Sequence, residues 1–484
     1  MTHLIVLLMV VAVGAASGDA SDVSWVPGWA RGAVDTLRAH SVTATLVGFV
    51  CIAGVAGLVF VWCSRRLDRT GRALWVRTAD RALLLGQWGI VLWLAFSCFA
   101  LGWVGRVRAW TGDLVILDEA LALTPAPLTL CALWLLFWPI ERRVREATQF
   151  GRLERGEPVH PIPGRWAFVV DQVRTHAGPV LIAALLLFGW IETVDRLRAT
   201  FADRLGDRAD TVSTVVLGLG AIGIVGALPL LWRVIWRTRR LPPGELRDEL
   251  HALCARHRVR VADLLIWETR GALLNGALVG VLPHLRYILL TDALLERLSA
   301  REVEAVMAHE IAHARHRHIP WLIGTVIVSV GLLSSLVSLV VARIEGLPEG
   351  WHAGLGGLVS IVSAILVLGW VSRRFEQQAD AFAAQHLARA RTDETSPIID
   401  GADARGMSDA LGAVARFNHI PPAKFSYRHG SIRARQRRLE GLVGKRTTDV
   451  PVDRLVRWLK RTVIVGAITT GLLLWRFPEA GTLL

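Results

Sequence analysis

Long apolar runs with almost no charge inside them limit the fold of this chain more than any other feature. A helix that crosses a bilayer needs about 20 mainly apolar residues, and only a helix or a closed barrel bonds its own backbone once water is gone. Runs suited to a membrane helix lie at 41–63, 83–104, 121–138, 179–194, 212–232, 321–341, 351–371 and 462–475. The fourth and the last are short, and the third carries Pro125 and Pro127. The 484 residues are 53% hydrophobic, with a mean hydropathy of +0.43, and the chain runs apolar where a soluble protein would alternate. Residues 1–18 read as a signal peptide or a first membrane helix: 4–16 is apolar and Ser17, Gly18 and Asp19 follow.

The formal net charge of +14 does not point to nucleic acid. Lysine is confined to Lys424, Lys445 and Lys460, and the arginines gather at the ends of apolar runs. That is the positive-inside pattern of a membrane protein. Trp62, Trp103, Trp138, Trp190, Trp232, Trp321, Trp370 and Trp475 lie near run ends, as interfacial anchors do. Segments 65–81, 142–174 and 233–240 are densely basic, whereas those near 113–119 and 344–350 are poor in arginine and 192–210 is mixed. Threading the spans with basic loops inside puts the segment around 309–313 and everything from Arg373 to Lys460 on the cytoplasmic side. The five cysteines form no CxxC, so a metal would have to be held by His and carboxylates.

Gly218-Leu219-Gly220-Ala221-Ile222-Gly223 spells GxGxxG, a dinucleotide fingerprint. It sits inside an uncharged apolar run, where close packing of membrane helices is the better reading.

The chemistry lies in the polar segments. After Pro242-Pro243-Gly244 comes a helix-spaced stretch, 245–257, and then short runs at 261–267, 272–279 and 286–290 that read as a small sheet. Ser299 and Glu302 form a capping box that opens a helix expected to run to about His318, with Pro320 ending it. That helix carries His309-Glu310-Ile311-Ala312-His313, an HExxH motif. Four residues are just over one turn, so both histidines share a face and can reach one metal ion, with Glu310 placed to move a proton. Zn²⁺ accepts such a pair and tolerates an open position. The metzincin pattern is excluded, because His316 and Ile319 stand where it needs Gly and His. His316 and His318 read as a solvated basic helix end, their offsets from His313 matching its face poorly.

The remaining source of a third ligand is a Glu on a second helix, the gluzincin arrangement. In Arg373-Arg374-Phe375-Glu376-Gln377-Gln378-Ala379-Asp380, Glu376 and Asp380 lie four apart on one face, with small Ala379 and Ala383 allowing close approach. Spacing leaves two readings open: Glu376 as ligand with Asp380 holding the second N–H of a ligating His, or a surface helix with Glu376 paired to Arg373.

HEIAHARHRH, followed by two apolar runs and then SRRFEQQADAFA, resembles the membrane zinc metalloproteases of the CAAX prenyl protease and HtpX type. The resemblance extends from about 241 to 439. It includes Arg286–Asp292 before the capping box and Asn275-Gly276-Ala277-Leu278-Val279-Gly280, similar to an edge strand that pairs with substrate backbone. His429-Gly430-Ser431 with Arg435 is similar to the family's His-Pro and downstream Arg, Gly430 replacing the usual Pro.

The resemblance implies one Zn²⁺ per chain held by His309, His313 and Glu376, with Asp380 behind a ligand. It implies Glu310 as the catalytic base, His429 as a stabiliser of the oxyanion, and Asn275 and Arg435 in contact with substrate. The expected architecture is a multi-pass α-helical membrane protein with a small α+β gluzincin domain split by a transmembrane hairpin. Its expected parts are 1–18, a membrane region 19–240 with about five spans, catalytic segments 241–320 and 373–460 flanking the hairpin 321–372, and a last span in 461–484. The expected function is a zinc endopeptidase of the cell membrane acting on membrane-associated or misfolded proteins. Its expected partners are protein or peptide substrates and the lipid bilayer, not nucleic acid. Processing of lipidated CAAX tails, or a non-catalytic scaffold or transporter with a structural zinc, are the rival readings.

Overall fold

A computed structural model describes residues 28–477 except 113, 115, 155, 157–158, 342, 345–348 and 393. The expected signal or first helix at 1–18 lies outside the described residues, as does most of the arginine-poor loop at 344–350. The chain divides into two compact units, Met1–Trp236 and Arg237–Leu484.

The first unit is helical: α1 (Gly28–Ala39), α2 (Ser41–Thr70), α3 (Leu74–Phe99), α4 (Trp103–Thr111), α5 (Leu117–Leu123), α6 (Pro125–Glu154), α7 (Arg165–Gln172), α8 (Gly178–Leu205) and α9 (Ala209–Ile235). Among the described residues, five stretches here and a sixth helix in the second unit are long and apolar enough to cross a membrane. The chain is a multi-pass membrane protein. The expected span 83–104 is shifted: its helix begins at Leu74 and ends at Phe99, with left-handed Gly102 opening the next. Pro125 and Pro127 do not weaken α6, because they fall in its first turn, where a missing N–H leaves no bond unmade.

Phe60, Leu94, Leu133 and Ile140 are among the side chains that fill this unit's core. Arg108 on α4 donates to Asp118 and Glu119 of α5 at 2.8 Å each, so these buried acids already have a counter-charge. The GxGxxG segment is wholly inside α9, without a strand before it. A Cβ at Gly220 would fall 2.0 Å from the Trp190 ring of α8, so this glycine serves close helix packing.

The second unit holds a four-stranded sheet in the order β1-β2-β4-β3, from β1 (Thr238–Arg240), β2 (Asp263–Trp267), β3 (Gly276–Val279) and β4 (Tyr287–Thr291). β1 was not expected. β2 and β4 run parallel, and β3 is an antiparallel edge strand. Both central strands are buried along their whole length, which their Leu- and Ile-rich sequences suit.

Around the sheet lie α10 (Glu245–Arg256), α11 (Asp292–Arg297), α12 (Ala300–Arg315), α13 (His318–Val341), α14 (Glu349–Arg391), α15 (Gly401–Phe417), α16 (Ile432–Glu440) and α17 (Pro451–Arg476). The capping box is present at α12, with Ser299 and Glu302 bonding each other's backbone. The helix, however, ends at Arg315. Arg317 takes a left-handed φ of 54°, and Pro320 sits in the first turn of α13 instead of closing α12.

α14 is a single 43-residue helix. The expected seventh span and the Glu376 segment are therefore one continuous rod, with no break at 372/373. The expected eighth span forms the second half of α17. Small residues line the meeting of α12 and α14, where Ala305, Ala308, Ala312, Ala379, Ala383 and Ala384 are fully buried. Met307, Ile311 and Phe382 pack beside them, each side chain contributing about 1.5–3 kcal/mol by burial.

Candidate metal centre

Close packing of α12 on α14 brings three donors to one point. His309 Nε2 and His313 Nε2 are 3.3 Å apart. Glu376 on α14 places Oε2 3.7 Å from the first and Oε1 3.6 Å from the second. Donors bound at ~2.0–2.1 Å around a tetrahedral Zn²⁺ are separated by about 3.3–3.5 Å. The donor set therefore fits a zinc ion with one position open. It is a cluster of three, and among the described residues no fourth His, Cys, Asp or Glu is grouped with it.

The electrostatics suit a cation. Burial lowers the His313 imidazole to about 3, only partly opposed by Glu376, so its lone pair stays available. Burial would also lower His309, but Asp380 and Glu376 raise it overall. Burial would raise Glu376, yet His429, Arg435 and His313 together hold it well below the usual carboxylate range.

Asp380 lies behind the first ligand. Its Oδ1 is 3.1 Å from His309 Nδ1, off the ideal hydrogen-bond line. Arg435 on α16 forks onto the same carboxylate, donating from Nε at 2.8 Å and from a terminal nitrogen at 2.6 Å. That nitrogen is also 3.4 Å from Glu376. Arg435, expected in contact with substrate, is thus buried at 7% exposure and committed to the two acids. Arg373 does not pair with Glu376. It donates to the Tyr427 carbonyl at 2.7 Å and lies over the Phe425 ring, holding the loop before α16.

That loop carries His429, whose Nδ1 is 3.0 Å from Glu376 Oε2 and whose side chain is half exposed. Gly430 beside it has φ +76°, which proline's fixed φ near −65° cannot reach. The turn is closed by Ser426 and Gly430 bonding each other's backbone.

Glu310 is 8% exposed and lies beside the edge strand; burial raises its pKa, as a proton acceptor working near neutral pH requires. The Asn275 carbonyl accepts the Thr291 N–H and its own N–H donates to Thr291 Oγ1, so this residue faces β4. By alternation Gly276 and Leu278 turn their backbone groups to the outer edge, where the Leu278 N–H meets Glu310.

Three residues were missed. His318 is not a solvated helix end but is buried at 2% exposure, with Nδ1 2.9 Å from His313 Nδ1 and Nε2 2.9 Å from Gln378 Oε1. Gln378 Nε2 donates to Asp453 on α17 at 2.6 Å. A helical wheel holds only for an unbroken helix, and the left-handed Arg317 rotates His318 back onto His313. The cluster of histidines in HEIAHARHRH was the available signal.

Residues 271–441 match the model of peptidase family M48. The chain is 27% identical over 204 residues to a protease HtpX homolog of Janthinobacterium sp. (strain Marseille), covering 37% of this chain and 67% of that one. It is 26% identical over 267 residues to a protease HtpX homolog of Aeropyrum pernix, covering 48% and 80%. The crystal structure of S. mikatae Ste24p superposes with a TM-score of 0.46 at 15% identity, over 82% of this chain and 97% of that one. The match of residues 271–441 to peptidase family M48 and the likeness to HtpX proteases, together with six helices among the described residues that are long and apolar enough to cross a membrane, support a membrane metalloprotease of the M48 kind.

Proposed function

We propose that this protein is a zinc endopeptidase that cleaves membrane-associated or misfolded proteins at a cytoplasm-facing site. The observation that carries the reading is the edge strand β3, whose outer side runs past Glu310 beside a three-donor cluster. An extended peptide adding to that edge bonds through its backbone to Gly276 and to the Leu278 carbonyl, the Leu278 N–H being held by Glu310, and backbone pairing tolerates varied side chains. His309, His313 and Glu376 would hold the zinc, which would supply a Lewis acid for the scissile carbonyl and lower the pKa of water.

The chain's own groups do the rest. Glu310 takes the proton of the attacking water and later delivers it to the leaving amine. His429, half exposed at the mouth, donates to the oxyanion, an interaction worth about 2.7–4 kcal/mol in other enzymes. Asp380 keeps the His309 Nδ1 proton in place, and Arg435 keeps Asp380 ionised. A structural zinc site is closed by four protein ligands, whereas three with an open position is the catalytic pattern. The cytoplasmic orientation rests on the arginine asymmetry of the loops.

Glu310→Gln tests the reading. The variant should bind zinc as the parent does and cleave no unfolded protein substrate, because only proton transfer is removed. Loss of zinc together with cleavage would make Glu310 a ligand and overturn the assignment.

A further inference from the structure

Each ligating histidine needs its Nδ1 proton held so that Nε2 presents a lone pair. For His309 the holder is Asp380. For His313 the partner at Nδ1 is the His318 ring, 2.9 Å away. We propose that His318, Gln378 and Asp453 form a one-way hydrogen-bond relay that fixes the tautomer of His313 and joins the C-terminal helix α17 to the metal centre. The proposal rests on His313 being a metal ligand.

The direction of the relay follows from its far end. An ionised carboxylate only accepts, so Asp453 Oδ1, 2.6 Å from Gln378 Nε2, must receive that amide's N–H. Asp453 Oδ2 likewise receives Gln385 Nε2 at 3.1 Å. With its nitrogen so committed, Gln378 turns Oε1 to His318, and this oxygen accepts from His318 Nε2 at 2.9 Å. A neutral His318 protonated on Nε2 has a bare Nδ1. That nitrogen, 2.9 Å from His313 Nδ1, can only accept the His313 proton. His313 Nε2 is left unprotonated, and it is the atom that faces His309 and Glu376.

Every donor in this series meets an acceptor, and reversing any link would set two donors or two acceptors against each other. The His318 ring is also held in place: it stacks on Phe375 at 4.5 Å with planes 3° apart, and on His316 at 5.7 Å. α17 is secured near the same place by Lys460, which donates to the His316 carbonyl at 2.8 Å. His318, Gln378 and Asp453 are positioning residues, acting through His313 and touching no substrate.

The test is zinc affinity of the full chain in detergent, measured by competition with a chelator. His318→Phe keeps the ring stack but removes the acceptor, and should weaken zinc binding by ~10–100-fold. His318→Asn places an amide oxygen near the position of Nδ1 and should recover most of that loss. Gln378→Met, one step further out, should weaken binding by less than His318→Phe and covers the case in which the latter does not fold. Parent-like affinity in His318→Phe, equal loss in His318→Asn, or a silent Gln378→Met would each overturn the relay. A parent chain that takes up no zinc would instead sink the metal-site reading and the relay together.

Discussion

Arg435 gives the sharpest test of how the metal centre is held before any ion enters. Its side chain is 8% exposed and Asp380 is 5% exposed, with two bonds of 2.6 and 2.8 Å between them. Removing one partner of such a buried pair leaves an uncompensated charge and costs about 3–5 kcal/mol. The two halves are unequal here. Asp380→Asn leaves Arg435 with Glu376 at 3.4 Å as a second partner. Arg435→Met leaves Asp380 and Glu376 together without their cation, so it should fall at the upper end and Asp380→Asn at the lower.

For a unit of this size 1 kcal/mol moves the melting temperature by about 2–4 °C, so the single variants should melt ~6–20 °C below the parent. Asp380→Asn with Arg435→Met removes both charges, and its loss should be well under the sum of the two. The assay is thermal unfolding of the chelator-treated protein in detergent, read by tryptophan fluorescence. Added zinc should restore more stability to Arg435→Met than to Asp380→Asn, because it supplies the charge that Glu376 lost. A cost below ~1 kcal/mol for Arg435→Met, or strict additivity of the double variant, would refute the buried-pair reasoning.

Glu376→Ala should lose most of the zinc affinity, whereas Arg373→Ala should keep it and lose only part of the cleavage rate, through a looser His429 loop; zinc titration and turnover on an unfolded substrate separate the two. Gly276→Val should abolish cleavage with zinc retained, since even a Cβ there would come within 2.9 Å of Val306 and 3.5 Å of Glu310. For orientation, single cysteines at Ala73 and at exposed Arg405 should resist an impermeant thiol reagent in intact cells, and one at Leu114 should label; Ala383 is fully buried and cannot serve as a reporter. A hydrogen bond from His386 lowers the Glu304 carboxyl against the opposing effect of its burial. Its stabilising effect is therefore complete above the unfolded carboxylate range near pH 4.3 and is lost as pH falls through the depressed folded value. The melting difference between parent and Glu304→Gln should shrink toward acid, and a difference that grows there would refute the assignment.

Much of this molecule was legible in its residues because the controlling forces are local. Hydrocarbon length decided the apolar helices, and the Ser299–Glu302 box fixed the start of α12. The four-residue spacing of His309 and His313 put them on one face whatever surrounded them. Glu376 was legible only as one of two readings, since no local rule says which helix a carboxylate will meet across 63 residues of chain. Packing of alanine faces between α12 and α14 settled where it lies.

What escaped were contacts made by elements distant in sequence or by a break in regular geometry. A left-handed Arg317 turned His318 inward, and no helical wheel anticipates a turn. Arg435 was marked for substrate, yet α16 delivers it to Asp380, because two buried carboxylates need a cation more than an open cleft does. Asp453 looked like one more acid before a last apolar run. It gained a partner only when α17 folded back onto α14, since a hydrogen bond depends on where two atoms end up and not on the composition of either helix.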